Sequence, residues 1–350
     1  MPNWAFGYVN VTGTRDGIKS FIERFVSEDD PSTIPGKRFF ARSFIQSKRQ
    51  AFIDEAMKEL DLSFEATRDL YLFMLAIISP LTKEARNRIE LAKTKFHPTE
   101  EDLNPNTKFA DNKLAQYFDN DPDFQKILKK KELSWDNYDI LVKSVLDSIK
   151  GKQYFVKYME SEERSLKEDC KLFTRIFEEE FVDNAQLAAI LEDMNMYWID
   201  DLAYDLTFCC RTLDDLAAGE QWHMPVLYMS DMKRKKDPSA DLQSDNVFVH
   251  RLLKNAFAGY KGYFDRITAA VKGWEADRLN SIDIALVVLG LAEVESFPEI
   301  PVKVTLNEYV EISKFYSLPK SSSFVNGLLD RLIAQMREEG KIVKTGTGLN

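Results

Sequence analysis

Ser281-Ile-Asp-Ile-Ala-Leu-Val-Val-Leu-Gly-Leu-Ala-Glu-Val294 is followed by Phe297-Pro-Glu-Ile-Pro-Val-Lys-Val-Thr-Leu-Asn307-Glu-Tyr-Val-Glu-Ile-Ser-Lys314, and then by Pro319-Lys-Ser-Ser-Ser-Phe324-Val-Asn326-Gly327-Leu-Leu-Asp330. Apolar positions recur at helical spacing in each segment, so three amphipathic helices with short breaks are predicted. Pro298 and Pro301 stop the first, because proline fixes φ and removes a donor. Thr305 is read as the N-cap of the second, and Ser321 or Ser322 as the cap of the third. Gly327 falls inside the third helix, which costs stability unless a neighbouring backbone packs close.

The rest of the chain is also helix-rich. Of its 350 residues 44% are apolar and 30% charged, with only 14 Gly and 12 Pro, a composition that favours helix over turn-dense β structure. The formal charge is −10, so any nucleic-acid contact requires a local basic face. Cys170, Cys209 and Cys210 show no metal spacing and read as reduced thiols of a cytoplasmic protein. No basic region followed by an apolar run opens the chain, so no signal peptide is expected, and the apolar stretch Leu70–Ser79 is too short to span a membrane.

The first fifty residues read differently. Phe6–Gly13 alternates like a strand, Arg15–Val26 reads as a short helix, and Lys37–Ile45 as a second strand. This β-α-β start resembles an uncharacterised ferredoxin-like family of phages and mobile elements over residues 1–47. Helices are expected over Gln50–Leu60, Ser63–Ile78 and Thr82–Lys95. After a proline-marked loop they continue over Phe109–Phe118, Pro122–Lys130, Ser134–Ser148, Gly151–Glu160, Ser165–Glu180, Asp183–Met194 and Asp200–Leu216. Within that loop Thr99-x-x-Asp102 is cap chemistry rather than a metal site. Trp222–Asp245, with its run Lys233-Arg-Lys-Lys236, reads as an exposed linker. Val247–Trp274 reads as one long or broken helix with a buried stripe and an outer face carrying His250, Arg251, Lys254, Lys261, Arg266 and Lys272, a candidate RNA surface. Ordinary surface cations explain that face equally well. The expected organisation is residues 1–50, a small appendage; 51–216, a helical extension; 217–246, a linker; and 247–344, a helical core.

No catalytic or metal motif emerges. His97, His223 and His250 lie far apart, and there is no GxGxxG, GxxxxGK[ST] or GxSxG. Thr345-Gly-Thr-Gly348 is a tail rather than a phosphate loop. A non-catalytic binding module without cofactor or metal is expected.

The order Trp274-Glu-Ala-Asp-Arg278, the apolar helix Ile282–Val294, the Phe297-Pro-Glu-Ile-Pro301 link, Thr305-Leu-Asn307-Glu-Tyr-Val-Glu-Ile312 and Lys320-Ser-Ser-Ser-Phe324-Val-Asn326-Gly327 closely resembles the C-terminal half of the NusB family. Lys95–Phe109 and Tyr197-Trp198-Ile-Asp-Asp-Leu202 resemble its longer Bacteroidetes forms, so the likeness spans roughly residues 52–344. It implies a mainly α fold: a NusB-like helical bundle with an extended N-terminal helical segment, here beside the β-α-β appendage. It further implies a cytoplasmic transcription antitermination factor that binds boxA RNA together with the ribosomal protein NusE, within the RNA polymerase antitermination complex on ribosomal RNA operons. On that resemblance Lys320, Ser321, Ser323 and Phe324 approach RNA, joined by Arg251 and Lys254 of the basic helix. Asp283 matches an acidic position on the NusE-facing surface. Asn307 and Glu308 match a recurrent pair, for which helix-start hydrogen bonding is the simpler role, and core packing explains Phe324 as well as RNA contact does. The family's opening arginine-rich helix is not matched here. A helical scaffold that keeps the NusE-type contact without RNA binding is the alternative. An RNA-modifying enzyme would need a glycine-rich cofactor turn, which is absent.

Overall fold

The computed structural model describes residues 42–228, 245–271 and 280–349. Regular structure among them is helical throughout, in two compact units, Asp61–Lys233 and Met1–Leu60 with Arg234–Asn350. Helix α1 runs over Arg42–Ala76. It contains no Gly or Pro and many strong helix formers, so nothing interrupts it between Gln50 and Ala76. The expected strand over Lys37–Ile45 is therefore corrected at its described end, because Arg42–Ile45 are helical. The remainder of the β-α-β segment, the Lys233–Pro238 charge run and Trp274–Arg278 lie outside the described residues.

In the Asp61–Lys233 unit, α1 ends against α2 (Ile78–Lys93). Pro80 sits in the first turn of α2 and cannot donate to the preceding turn, which enforces the break. Then come α3 (Glu100–Leu103), α4 (Lys113–Asn120), α5 (Pro122–Lys131), α6 (Asp139–Lys150), α7 (Gln153–Glu160), α8 (Leu166–Ile176) with a π-helical turn at Phe177–Phe181, α9 (Ala185–Met194) and α10 (Trp198–Ala217). Thr99 and Asp102 form a reciprocal capping box at α3, as their spacing predicts. The Phe73 ring lies between two buried indoles, 4.1 Å from Trp135 and 5.3 Å from Trp198. Each indole N–H donates to a carbonyl of α1, Trp135 to Phe73 O and Trp198 to Ala66 O, both at 2.7 Å.

The described start of the expected linker, Gly219–Tyr228, packs rather than hangs free. Leu227 is buried, the Trp222 indole donates to the Tyr71 hydroxyl at 3.1 Å, and the Tyr228 hydroxyl donates to Thr67 at 2.7 Å. The apolar side chains of this segment override its irregular backbone.

The second unit contains α11 (Asp245–Ala270), α12 (Ser281–Ser296), α13 (Val302–Tyr316), α14 (Ser321–Glu338) and a 3₁₀ turn at Gly346–Leu349. The Arg42–Leu60 part of α1 belongs to it as well, and Phe52 meets Phe257 of α11 edge to face at 5.6 Å. Helix α12 is apolar on nearly every side and forms the middle of the core, with Val287, Leu291, Ala292 and Val294 wholly buried. Gly290 makes this possible: a Cβ there would stand 2.9 Å from Leu329 Cδ2 and 3.4 Å from the Tyr309 ring. The tail folds back over the α12–α13 link. Thr345 N donates to Pro298 O at 3.0 Å and Thr347 Oγ1 to Glu299 O at 2.7 Å, while Gly348 leaves no room for a Cβ beside Pro298 O.

Candidate nucleic-acid interface

Two buried carboxylates on α12 fix the helices that follow it. Near the C-terminal end, Glu293 accepts from Thr305 Oγ1 at 2.7 Å and from the Tyr309 hydroxyl at 2.9 Å. Burial, and then Glu293, push the Tyr309 phenol above its usual range. Thr305 is thus not a cap. Helix α13 begins at Val302 behind Pro301, and Thr305 is wholly buried one turn inside it. At the other end Asp283, 5% exposed, accepts from Ser317 Oγ at 2.5 Å and Ser321 Oγ at 2.8 Å. Asn280 caps α12 through Ile282 N and donates to Ser317 Oγ at 2.9 Å. Asp283 is therefore an internal clasp and not the surface acid that its position suggests, since two serine hydroxyls offset the cost of burying its carboxylate. Ser321 is likewise corrected: it is buried on Asp283 instead of facing a ligand, and it does not cap α14.

The start of α14 forms an exposed edge. Lys320 and Ser323 are exposed and Phe324 is half-buried. The Lys320 side chain does not cap this helix, and although Ser321 N is spent on Leu318 O, the backbone N–H groups of the turn that follows suit an anion. One turn on, Ser323, Phe324, Gly327, Leu328 and Arg331 face Ala270 and Val271 across a shallow groove. Arg331 Nη1 donates to Ala270 O at 3.1 Å, placing a guanidinium at the end of α11. Among the described residues a Cβ on Gly327 would meet nothing within 4 Å, so none of their backbones accounts for that glycine.

The basic face of α11 is partly committed to structure. Arg251 donates to Ser296 O and lies 4.5 Å over the Phe297 ring. Arg266 forms a two-pronged pair with Glu339, at 2.7 and 2.5 Å, and together with Lys341 it holds that carboxyl down to about 2. Lys254 and Lys261 remain exposed, without an acid partner among the described residues. Asn307 and Glu308 lie exposed on α13, too far past its start for helix-start hydrogen bonding.

Residues 215–334 match the NusB family model. Over this stretch the chain is NusB-like. It is 31% identical over 137 residues to the transcription antitermination protein NusB of Chloroherpeton thalassium, covering 36% of this chain and 64% of that protein. It is 41% identical over 106 residues to that of Salinibacter ruber (30% and 66%) and 37% identical over 91 residues to that of Methylacidiphilum infernorum (26% and 64%). The chain thus spans a little under two thirds of the length of these relatives. No solved structure matches it.

The geometry joins Lys320, Ser323 and Phe324 along one edge and assigns Ser321 and Asp283 to its support. It adds Gly327 and Arg331, which sequence reasoning missed although they lie three and seven residues beyond Phe324, the spacing of one helix face. Ser317 and Asn280 gave no comparable signal, because only the fold brings them to Asp283. Among the described residues no three His, Cys, Asp or Glu side chains gather as metal donors, and no helix is long and apolar enough to cross a membrane.

Proposed function

We propose that this chain is a non-catalytic transcription antitermination factor of NusB type. In this reading it binds a boxA-type RNA strand together with a NusE-type ribosomal protein and serves the RNA polymerase antitermination complex on ribosomal RNA transcripts. The observation that carries the reading is the exposed, uncapped start of α14 inside the NusB-like segment. Lys320 and the N–H groups that follow that of Ser321 suit phosphate, Ser323 offers a hydrogen bond, and Phe324 borders a groove where an unpaired base can stack. Lys254 adds an exposed cation on α11, while Arg251 supports the α12 end rather than reaching outward. Asn307 and Glu308 are left for the protein partner.

Filter binding of a boxA RNA and a scrambled RNA across a salt series tests this. Tighter binding to boxA, weakening as salt rises, is expected. The commitment of Arg251 and Arg266 to internal partners favours a second reading, a scaffold that keeps only the protein contact. Equal and weak binding to both RNAs would select it.

A further inference from the structure

The turn between α13 and α14 has little of its own to hold it. Leu318, Pro319 and Lys320 are all exposed. Ser321 N closes the turn onto Leu318 O at 2.8 Å. The side-chain ties to the interior come from Ser317 and Ser321, whose hydroxyl oxygens lie 2.9 Å apart and both donate to Asp283. Asp283 stands in the first turn of α12 and bonds to the first residue of α14. One buried negative charge thus sits at the positive ends of two helices while accepting two hydroxyls. That arrangement explains why a carboxylate is tolerated at a site only 5% exposed.

Resting on the reading above, we infer that Asp283 is the positioning residue of the RNA edge. Through Ser317 and Ser321 it sets the turn and the start of α14, so that Lys320, Ser323 and Phe324 are presented in one fixed register. Asp283 does not touch RNA or the protein partner itself.

The test compares the full chain with Asp283→Leu, Asp283→Asn and the milder Ser317→Ala. Three quantities are read: amide hydrogen exchange over residues 317–324, affinity for boxA RNA, and affinity for a purified NusE-type ribosomal protein. Asp283→Leu is expected to speed exchange in the turn and weaken RNA binding by about tenfold or more, with partner affinity unchanged. Asn, which can still accept from one serine and donate to the other, restores most of both losses. Ser317→Ala, which leaves the rest of the clasp intact, shows the same pattern in smaller measure and answers the question should the Leu variant not fold. Lost RNA binding with unchanged exchange, loosened exchange with unchanged RNA binding, or lost partner affinity would each overturn the inference. Failure of the unsubstituted protein to bind boxA RNA would remove the functional reading and the inference together, whereas RNA binding indifferent to a loosened turn would remove the inference alone.

Discussion

Asp205 on α10 should make this protein less stable as pH rises through the neutral range. Its side chain is wholly buried and neither carboxyl oxygen has a hydrogen-bond partner among the described residues. The groups that interact with it electrostatically include Asp201, Tyr71, Cys209 and Tyr228, and none of these is a cation. Burial, with a further push from Asp201, raises its pKa from 3.8 to about 9. The folded protein therefore binds one more proton than the unfolded chain between those values. The favourable contribution is complete below pH 3.8 and is lost as pH climbs to about 9. Within that window the slope is about 1.4 kcal/mol per pH unit, so roughly 2.7 kcal/mol disappears between pH 5 and pH 7. The slope over that interval holds for any folded pKa well above 7. Asp205→Asn keeps the shape and removes the proton. Urea unfolding followed by tryptophan fluorescence weights the relevant unit, since three of the five tryptophans, Trp135, Trp198 and Trp222, lie in Asp61–Lys233. The two proteins should be similar at pH 5, with the variant ahead by about 2–3 kcal/mol at pH 7. Parallel pH profiles would show that Asp205 is ionised or partnered in solution, and would refute the reasoning.

Two helical glycines of the NusB-like segment, Gly290 and Gly327, should respond to alanine with opposite signs. Gly290→Ala forces a methyl against the wholly buried Leu329, and overpacking outweighs the gain in helix propensity, for a net loss of roughly 1 kcal/mol in chemical denaturation. Gly327→Ala meets no neighbour among the described residues and should gain about 0.5–1 kcal/mol, raising the melting temperature while weakening RNA binding, because its methyl enters the groove beside Phe324. Tyr309→Phe leaves one oxygen of the buried Glu293 without its donor and should cost about 1–3 kcal/mol of unfolding free energy.

Much of the helical architecture was legible because it rests on local signals. Pro298 and Pro301 end α12 where their chemistry requires, and Thr99 with Asp102 makes the capping box that its spacing announces. Side-chain roles were read less well wherever tertiary partners decide them. Thr305 and Ser321 have the composition of caps, yet each turns inward to a carboxylate ten or more residues away. Asp283 reads as a surface acid until the clasp is seen, and both arginines of the α11 basic face are spent on Ser296, Phe297 and Glu339. The Gly219–Tyr228 segment reads as a linker because its backbone is irregular, whereas Trp222, Leu227 and Tyr228 bind it to a core assembled from residues far away in sequence.

The claim that the α14 edge carries RNA is tested most directly by photo-crosslinking a boxA RNA substituted with 5-bromouridine to the full chain and mapping the attached peptides by mass spectrometry. Crosslinks concentrated between Lys320 and Arg331, and competed by unlabelled boxA but not by scrambled RNA, are the expected result. Specific crosslinks confined to residues 61–233, with none on α14, would contradict it.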